Sequence, residues 1–269
     1  MRTLPLLALV ACFDGPMTTR QVLEALDQTH RSGLGLVAVE EPIEVSTDFT
    51  LGAAIEAAAQ EIADFWASQA PCSTVLIEGA TLTVDYGDGE DTCQYNGMSW
   101  SGVTAVTVAS TQPGDLTVTH DWDAFRNENV QVDGVATVDW SGEDATRHVQ
   151  TEHTWTDTST GETVDVVDDH VQGPLDSAGG WIGGLTLDGT RDWTSGEDAW
   201  ALDMTDIAWR WIDPAPEAGQ FTISNPEGQV LTVDYARVDA TTIAMTITGA
   251  RRDLVFHIGA LGAIEEVTE

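Results

Sequence analysis

The chain has 269 residues, 45 of them acidic and ten basic, the ten all arginine, for a formal net charge of −35. Such a field repels phosphate backbones and anionic lipid surfaces and excludes nucleic acid as a partner; it attracts divalent cations and equally suits a plain solvated surface of the kind found on proteins from saline habitats. An apolar fraction of 42% is enough for a core and excludes global disorder.

Residues 1–11 read as an export signal: Arg2 is followed by a short apolar run ending in Ala11. That run is far too short to span a bilayer as a helix. Leu9-Val10-Ala11-Cys12 resembles the bacterial lipobox, with small or apolar residues before an acceptor cysteine. The resemblance implies cleavage before Cys12, diacylglycerol on its thiol and acylation of the new amine. Two or three acyl chains hold a protein stably, each buried CH₂ contributing roughly 0.8 kcal/mol. An ordinary secretory signal or a buried N-terminal strand is the alternative. Phe13, not Asp, follows the cysteine, so the outer membrane is the expected location.

Residues 12–49 are read as a linker with a short helix at 18–30, Val22, Leu23 and Leu26 on one side, broken by Ser32-Gly33-Leu34-Gly35. A strand is expected at 36–39. Residues 50–70 carry the clearest helix: Leu51, Ile55, Ala58, Ile62, Phe65 and Trp66 recur at helical spacing, Thr50 is placed to cap the first turn, and Pro71 closes it. Its polar face lacks basic residues, so packing on a β domain is expected instead of a membrane role.

From 72 to 258 the pattern becomes period two. Leu82, Val84 and Tyr86 share a face, as do Leu116, Val118, His120 and Trp122, and Val130, Val132, Ala136, Val138 and Trp140. Later sets are Phe221 and Ile223; Leu231, Val233 and Tyr235; Ile243, Met245 and Ile247; and Leu254, Phe256 and Ile258. About a dozen antiparallel strands with one buried face follow from this. Trp200, Leu202 and Met204 change parity against Ile207, Trp209 and Trp211, which predicts a bulge near Thr205-Asp206. The expected fold is mainly β: a large antiparallel meander, as a curved sheet, open barrel or sandwich, with one or two N-terminal helices. Residues 259–269 read as a tail.

Short echoes suggest a duplicated meander. Leu82-Thr83-Val84-Asp85-Tyr86 recurs as Leu231-Thr232-Val233-Asp234-Tyr235, and Asp133-Gly134 as Asp188-Gly189, each leading to a Trp and an acidic Gly-Glu-Asp turn. With the strands placed, the chain resembles a group of uncharacterised β-rich lipoproteins found in myxobacteria and, more distantly, in Bacteroidetes. The residues that carry the likeness are Leu82 to Gly89, Cys93, Asn96-Gly97, Ser101-Gly102, Val132-Asp133-Gly134, Gly189 to Trp193, Leu231 to Tyr235 and Ile247-Thr248-Gly249. In the distant relatives the closing Asp-Tyr is followed by Gly and a Cys; here Ala236-Arg237-Val238 follows, which removes any second disulfide. The resemblance implies an exported β-rich lipoprotein and brings no catalytic residue.

With Cys12 lipidated, Cys72 and Cys93 remain as an even pair in a compartment where disulfides persist. A bridge is expected, closing a separation of 93 − 72 = 21 residues and contributing roughly 3 kcal/mol by loop entropy; two free buried thiols are the alternative. Neither has a nearby CxxC partner, so zinc is not expected. Asp85, Asp88, Glu90 and Asp91 surround two glycines and are weak calcium candidates, an acidic hairpin turn being preferred because the spacing misses the EF-hand pattern. No other cofactor is expected.

No GxSxG elbow, Walker loop or HExxH helix occurs, and catalytic residues are not assigned. Gly179 to Gly184 lacks a Lys and a following helix and reads as a flexible loop. His148 and His153 are five apart and should face opposite sides of a strand. His120 and His153 fall on the apolar parity and read as hydrogen-bonded core histidines. Trp100, Trp122, Trp140, Trp155, Trp193, Trp200, Trp209 and Trp211 all fall in predicted strands, most of them in the core. The leading expectation is a lipid-anchored envelope protein with a non-enzymatic binding or structural β domain. Its partner, an envelope protein or a small molecule, is unknown. The rivals are a carrier or sensor of an apolar ligand between curved sheet and helix, and an envelope hydrolase using paired carboxylates.

Overall fold

The computed structural model describes residues 15–33, 55–88, 93–95, 97–112, 115–142, 145–176 and 180–267. The signal, Cys12, the strand expected at 36–39 and the first turn of the helix at 50–70 lie outside them. Two helices, α1 (Thr19–Ser32) and α2 (Ile55–Gln69), precede fifteen strands. These are β1 (Thr74–Glu78), β2 (Thr81–Asp85), β3 (Cys93–Tyr95), β4 (Met98–Gln112), β5 (Asp115–Arg126), β6 (Val130–Ser141), β7 (Thr146–Asp157) and β8 (Thr163–Asp176). They continue with β9 (Gly180–Ser195), β10 (Asp198–Trp209), β11 (Ala218–Ser224), β12 (Val230–Arg237), β13 (Thr242–Thr248), β14 (Leu254–Gly259) and β15 (Ile264–Glu266).

All pair antiparallel in a single open sheet, in sequence order, with β3 set aside against β4. The fold is therefore the open form of the expected meander, with more strands than the sequence pattern resolves. The last strand falls inside the segment read as a tail: Phe256 pairs with Glu266 across β14 and β15. One face is buried as a continuous cluster reaching from Met17 and Trp66 through Leu82, Trp155 and Trp193 to Ile247. The period-two sets named from the sequence lie on this inner face.

Two of the register shifts in the sheet are bulges built alike. The register slips between Trp122 and Phe125 on β5 and between Met204 and Ile207 on β10, at the positive-φ residues Ala124 (48°) and Asp206 (51°). The second is the bulge expected at 205–206. Each is pinned in the same way from a neighbouring strand: Asp133 Oδ1 accepts from the Ala124 N–H at 2.7 Å, and Asp188 Oδ1 from the Asp206 N–H at 2.7 Å. The residue after each aspartate is a glycine at φ 148° or 156°. A Cβ on Gly134 would lie 2.4 Å from Glu152 O, and one on Gly189 2.3 Å from Asp169 O. The repeated Asp-Gly is thus the signature of a bulge clamp, since only glycine tolerates that conformation and approach.

Thr18 caps α1 in a capping box with Gln21. Val22 and Ala25 are buried, whereas Leu23, assigned to the apolar side, is 63% exposed. The helix is latched to distant strands: Met17 bridges to Ala250, Gln21 Nε2 donates to Gln229 Oε1 at 2.7 Å, and Arg31 pairs with Glu162. Ala63 and Trp66 of α2 and Ala70 just beyond it are buried, and Trp66 meets Tyr86 edge-on at 6.1 Å. Cys72 and Cys93 form the expected disulfide, joining the end of α2 to β3.

Candidate functional site

The inner face is not wholly apolar. Strand β8 directs Val164 and Val166 inward, then Asp168, His170 and Gln172, all buried. Register places Arg191 of β9 opposite Asp168, and Arg147 of β7 opposite Gln172. A continuous chain of polar contacts results. Arg191 donates to Asp168 Oδ2 through Nε at 2.8 Å and Nη2 at 2.7 Å. His170 Nδ1 meets Asp168 Oδ1 at 2.7 Å, Gln172 Nε2 meets His170 Nε2 at 2.7 Å, and Arg147 Nε donates to Gln172 Oε1 at 2.6 Å. The Arg147 guanidinium ends the chain between the faces of Trp140 (5.6 Å) and Trp181 (4.9 Å).

Burial pushes the Asp168 carboxyl up, but the Arg191 guanidinium and the His170 hydrogen bond together outweigh it and hold it at about 2. A carboxylate so held stays ionised and accepts hydrogen bonds; it has no proton to give. His170 has the orientation of a catalytic base, yet its Nε2 faces the Gln172 amide and not a hydroxyl or thiol nucleophile.

His120 and His153 are buried beside tryptophans as expected, but His153 departs from the expectation in one respect: neither ring nitrogen has a hydrogen-bond partner. Burial, reinforced by Arg191 and opposed by Asp168, lowers its pKa to about 4; burial alone lowers His120 to about 3. The indole N–H groups of Trp122, Trp155, Trp193 and Trp200 and the Thr151 hydroxyl are also without hydrogen-bond partners on this face. His148 points the other way, as its spacing from His153 requires, and binds Asp169 at 2.6 Å on the surface.

The opposite face holds an open groove of about 870 Å³ across β6 to β11. Two registered rows form it. One runs Asp133, Thr154, Asp165, Thr194; the other runs Val135, Glu152, Val167, Asp192, Ala201. Carboxylates therefore alternate with Thr and Val side chains, and Val135 and Val167 stay exposed on the floor. Asp165 accepts from Thr154 Oγ1 at 2.6 Å, and Asp133 is held by the bulge clamp. Glu152 and Asp192 are exposed. None of the groove residues is an arginine.

Of the calcium candidates, Asp85 ends β2 and accepts from the Gly87 N–H at 2.8 Å, a turn contact, and Asp88 is exposed. Glu90 and Asp91 lie outside the described residues. Among the described residues no group of three or more His, Cys, Asp and Glu side chains is arranged to hold a metal ion. Residues 180–184 begin β9 and are not the loop expected there. Six of the eight tryptophans assigned to strands are buried; Trp209 closes β10 half-buried, while Trp211 lies beyond the strand and is 55% exposed. Compared with protein-family models, curated proteins and solved structures, the chain matches none.

Proposed function

We propose that this chain is a lipid-anchored protein of the bacterial outer membrane whose β domain binds a cationic partner in the outer groove, without catalysis. The groove carries the reading: four strands register Asp133, Glu152, Asp165 and Asp192 around an open concavity floored by valines. The field there selects positive charge, and the exposed valines add apolar contact. The anchor rests on Leu9-Val10-Ala11-Cys12, in keeping with the resemblance to bacterial lipoproteins. The hydrolase reading is weaker because Asp168, the deeply buried carboxylate, is locked ionised by Arg191. The reading requires no cofactor.

Two measurements test it. Radiolabelled palmitate incorporated into wild type and not into Cys12→Ala supports the anchor; equal labelling of both removes it. Calorimetric titration with a short oligo-arginine peptide tests the groove. Glu152→Gln/Asp192→Asn is expected to weaken binding about tenfold, and identical affinity of variant and wild type would sink the groove.

A further inference from the structure

The two ends of the sheet differ in kind. The turns between β10 and β11, β12 and β13, and β14 and β15 lie at one end, as do the last residue of β8 and the first of β9, Asp176 and Gly180. At or beside each, a large apolar side chain stands in the open: Ile182 is 91% exposed, Ile212 84%, Val238 55% and Leu261 100%. Two of these sites carry the same Trp-Ile dipeptide, at 181–182 and 211–212. They are tied together by Trp211 Nε1, which donates to Trp181 O at 2.8 Å. The β14–β15 turn adjoins them, since a Cβ on Gly262 would lie 3.8 Å from Pro214 Cβ.

The opposite end is built from Asp157 to Glu162, Ser195 to Asp198, Asn225 to Gln229 and Arg251 to Asp253. There α1 is latched through Met17, Gln21 and Arg31, and the exposed apolar side chains nearby are Leu23 and Val230. Charge at the apolar end is paired. In a molecule with 45 acids and ten arginines, two arginines neutralise the two carboxylates of the β10–β11 turn: Arg237 pairs with Asp213 and Glu217, and Arg210 with Glu217. Asp239 of the neighbouring turn bends back to accept from the Thr241 N–H at 2.8 Å.

Side chains that project singly from separate turns offer no flat or concave patch for a folded partner to match. A fluid phase envelops such points without shape complementarity, and tryptophan beside aliphatic tips is the composition of a membrane interface. We infer that this end of the sheet is an interfacial membrane contact, taking an uncharged or zwitterionic lipid surface. It is independent of Cys12. Met17 is bonded at the polar end, and the eight residues of β12 set the two ends about 26 Å apart at roughly 3.3 Å per residue. The apolar turns therefore lie at the end of the domain away from Met17.

The test uses the full chain carrying Cys12→Ala, so that its outcome is read apart from that of the anchor. An environment-sensitive fluorophore is placed on Leu261→Cys and, for reference, on Glu197→Cys at the polar end; both positions are exposed. On titration with phosphatidylcholine vesicles the label at 261 should brighten severalfold and shift to the blue, while the label at 197 stays unchanged. Ile182→Ser/Ile212→Ser should lower vesicle partitioning at least about tenfold, and phosphatidylglycerol vesicles should bind more weakly at low salt. A silent label at 261, equal responses at both positions, or undiminished partitioning of the double variant would overturn the inference.

Discussion

Gln172 turns its amide nitrogen, not its oxygen, toward Nε2 of His170. The oxygen is held by Arg147 Nε at 2.6 Å, and an arginine only donates, so the amide has one orientation. His170 Nε2 must then accept, and Nδ1 carries the proton that is donated to Asp168. Arg147, three strands' worth of contacts from Arg191, thereby fixes the tautomer of the imidazole between them. The polar chain behaves as one unit, in which loss of any member strands the rest.

Asp168→Asn should therefore destabilise the fold by about 3–5 kcal/mol, because Arg191 is left buried without its counter-charge. Asp168→Leu/Arg191→Met, which removes both charges, should lose markedly less. Urea denaturation of the two variants checks this; a double variant as damaged as Asp168→Asn would contradict it.

His153→Leu should raise stability by about 1–2 kcal/mol, since both ring nitrogens are desolvated without partners. The same substitution should change the pH profile. The folded pKa values of about 4 for His153 and about 3 for His120 lie below the unfolded 6.5. Between pH 6.5 and 4 the unfolded chain takes up protons that the folded chain refuses, so this stability is present above pH 6.5 and lost on acidification. For His153 the loss is on the order of 3 kcal/mol. Asp168 acts lower, its contribution holding above pH 3.8 and failing toward 2. Repulsion among 45 carboxylates eases over the same range and opposes the trend. The measurement is thus the difference in melting temperature between wild type and His153→Leu, which should widen as pH falls from 6.5 to 4.

Gly134→Ala should cost more than about 3 kcal/mol, combining positive φ with a backbone clash. Asp133→Ala, which removes only the clamp on the Ala124 N–H, should cost about 1 kcal/mol. Thermal melts of the two variants should rank in that order.

Cys72→Ser/Cys93→Ser should lower stability by roughly 3 kcal/mol. Thiol alkylation of the wild type should label neither cysteine until a reductant is added.

Much of the fold was legible because its signals are local. Alternation marks the strands, a parity change marks the bulge at Asp206, and the leftover cysteines pair. Strand β8 hid its role for a reason that can be stated. Its valines fall on both parities, with Val164 and Val166 inward and Val167 and Val171 exposed, so hydrophobicity does not say which half is buried. Asp168, His170 and Gln172 on the inward half look like surface residues until Arg147 and Arg191 are set beside them, and that needs the register of two neighbouring strands. The groove needs the register of five. Trp211 misled because the parity of β10 runs on in the sequence after the chain has turned at Arg210.

The sequential strand order has a consequence for how the chain is made. Each strand from β4 onward pairs with the one just before it, so a polypeptide delivered N-terminus first can zip up vectorially, hairpin by hairpin, without waiting for a remote partner. The Cys72–Cys93 loop closes early in that order. The contacts of α1 with Glu162, Gln229 and Ala250 close late. The N-terminal helix is in effect a latch thrown at the end of assembly, and a truncation that stops short of Gln229 should leave it only Glu162 as a keeper.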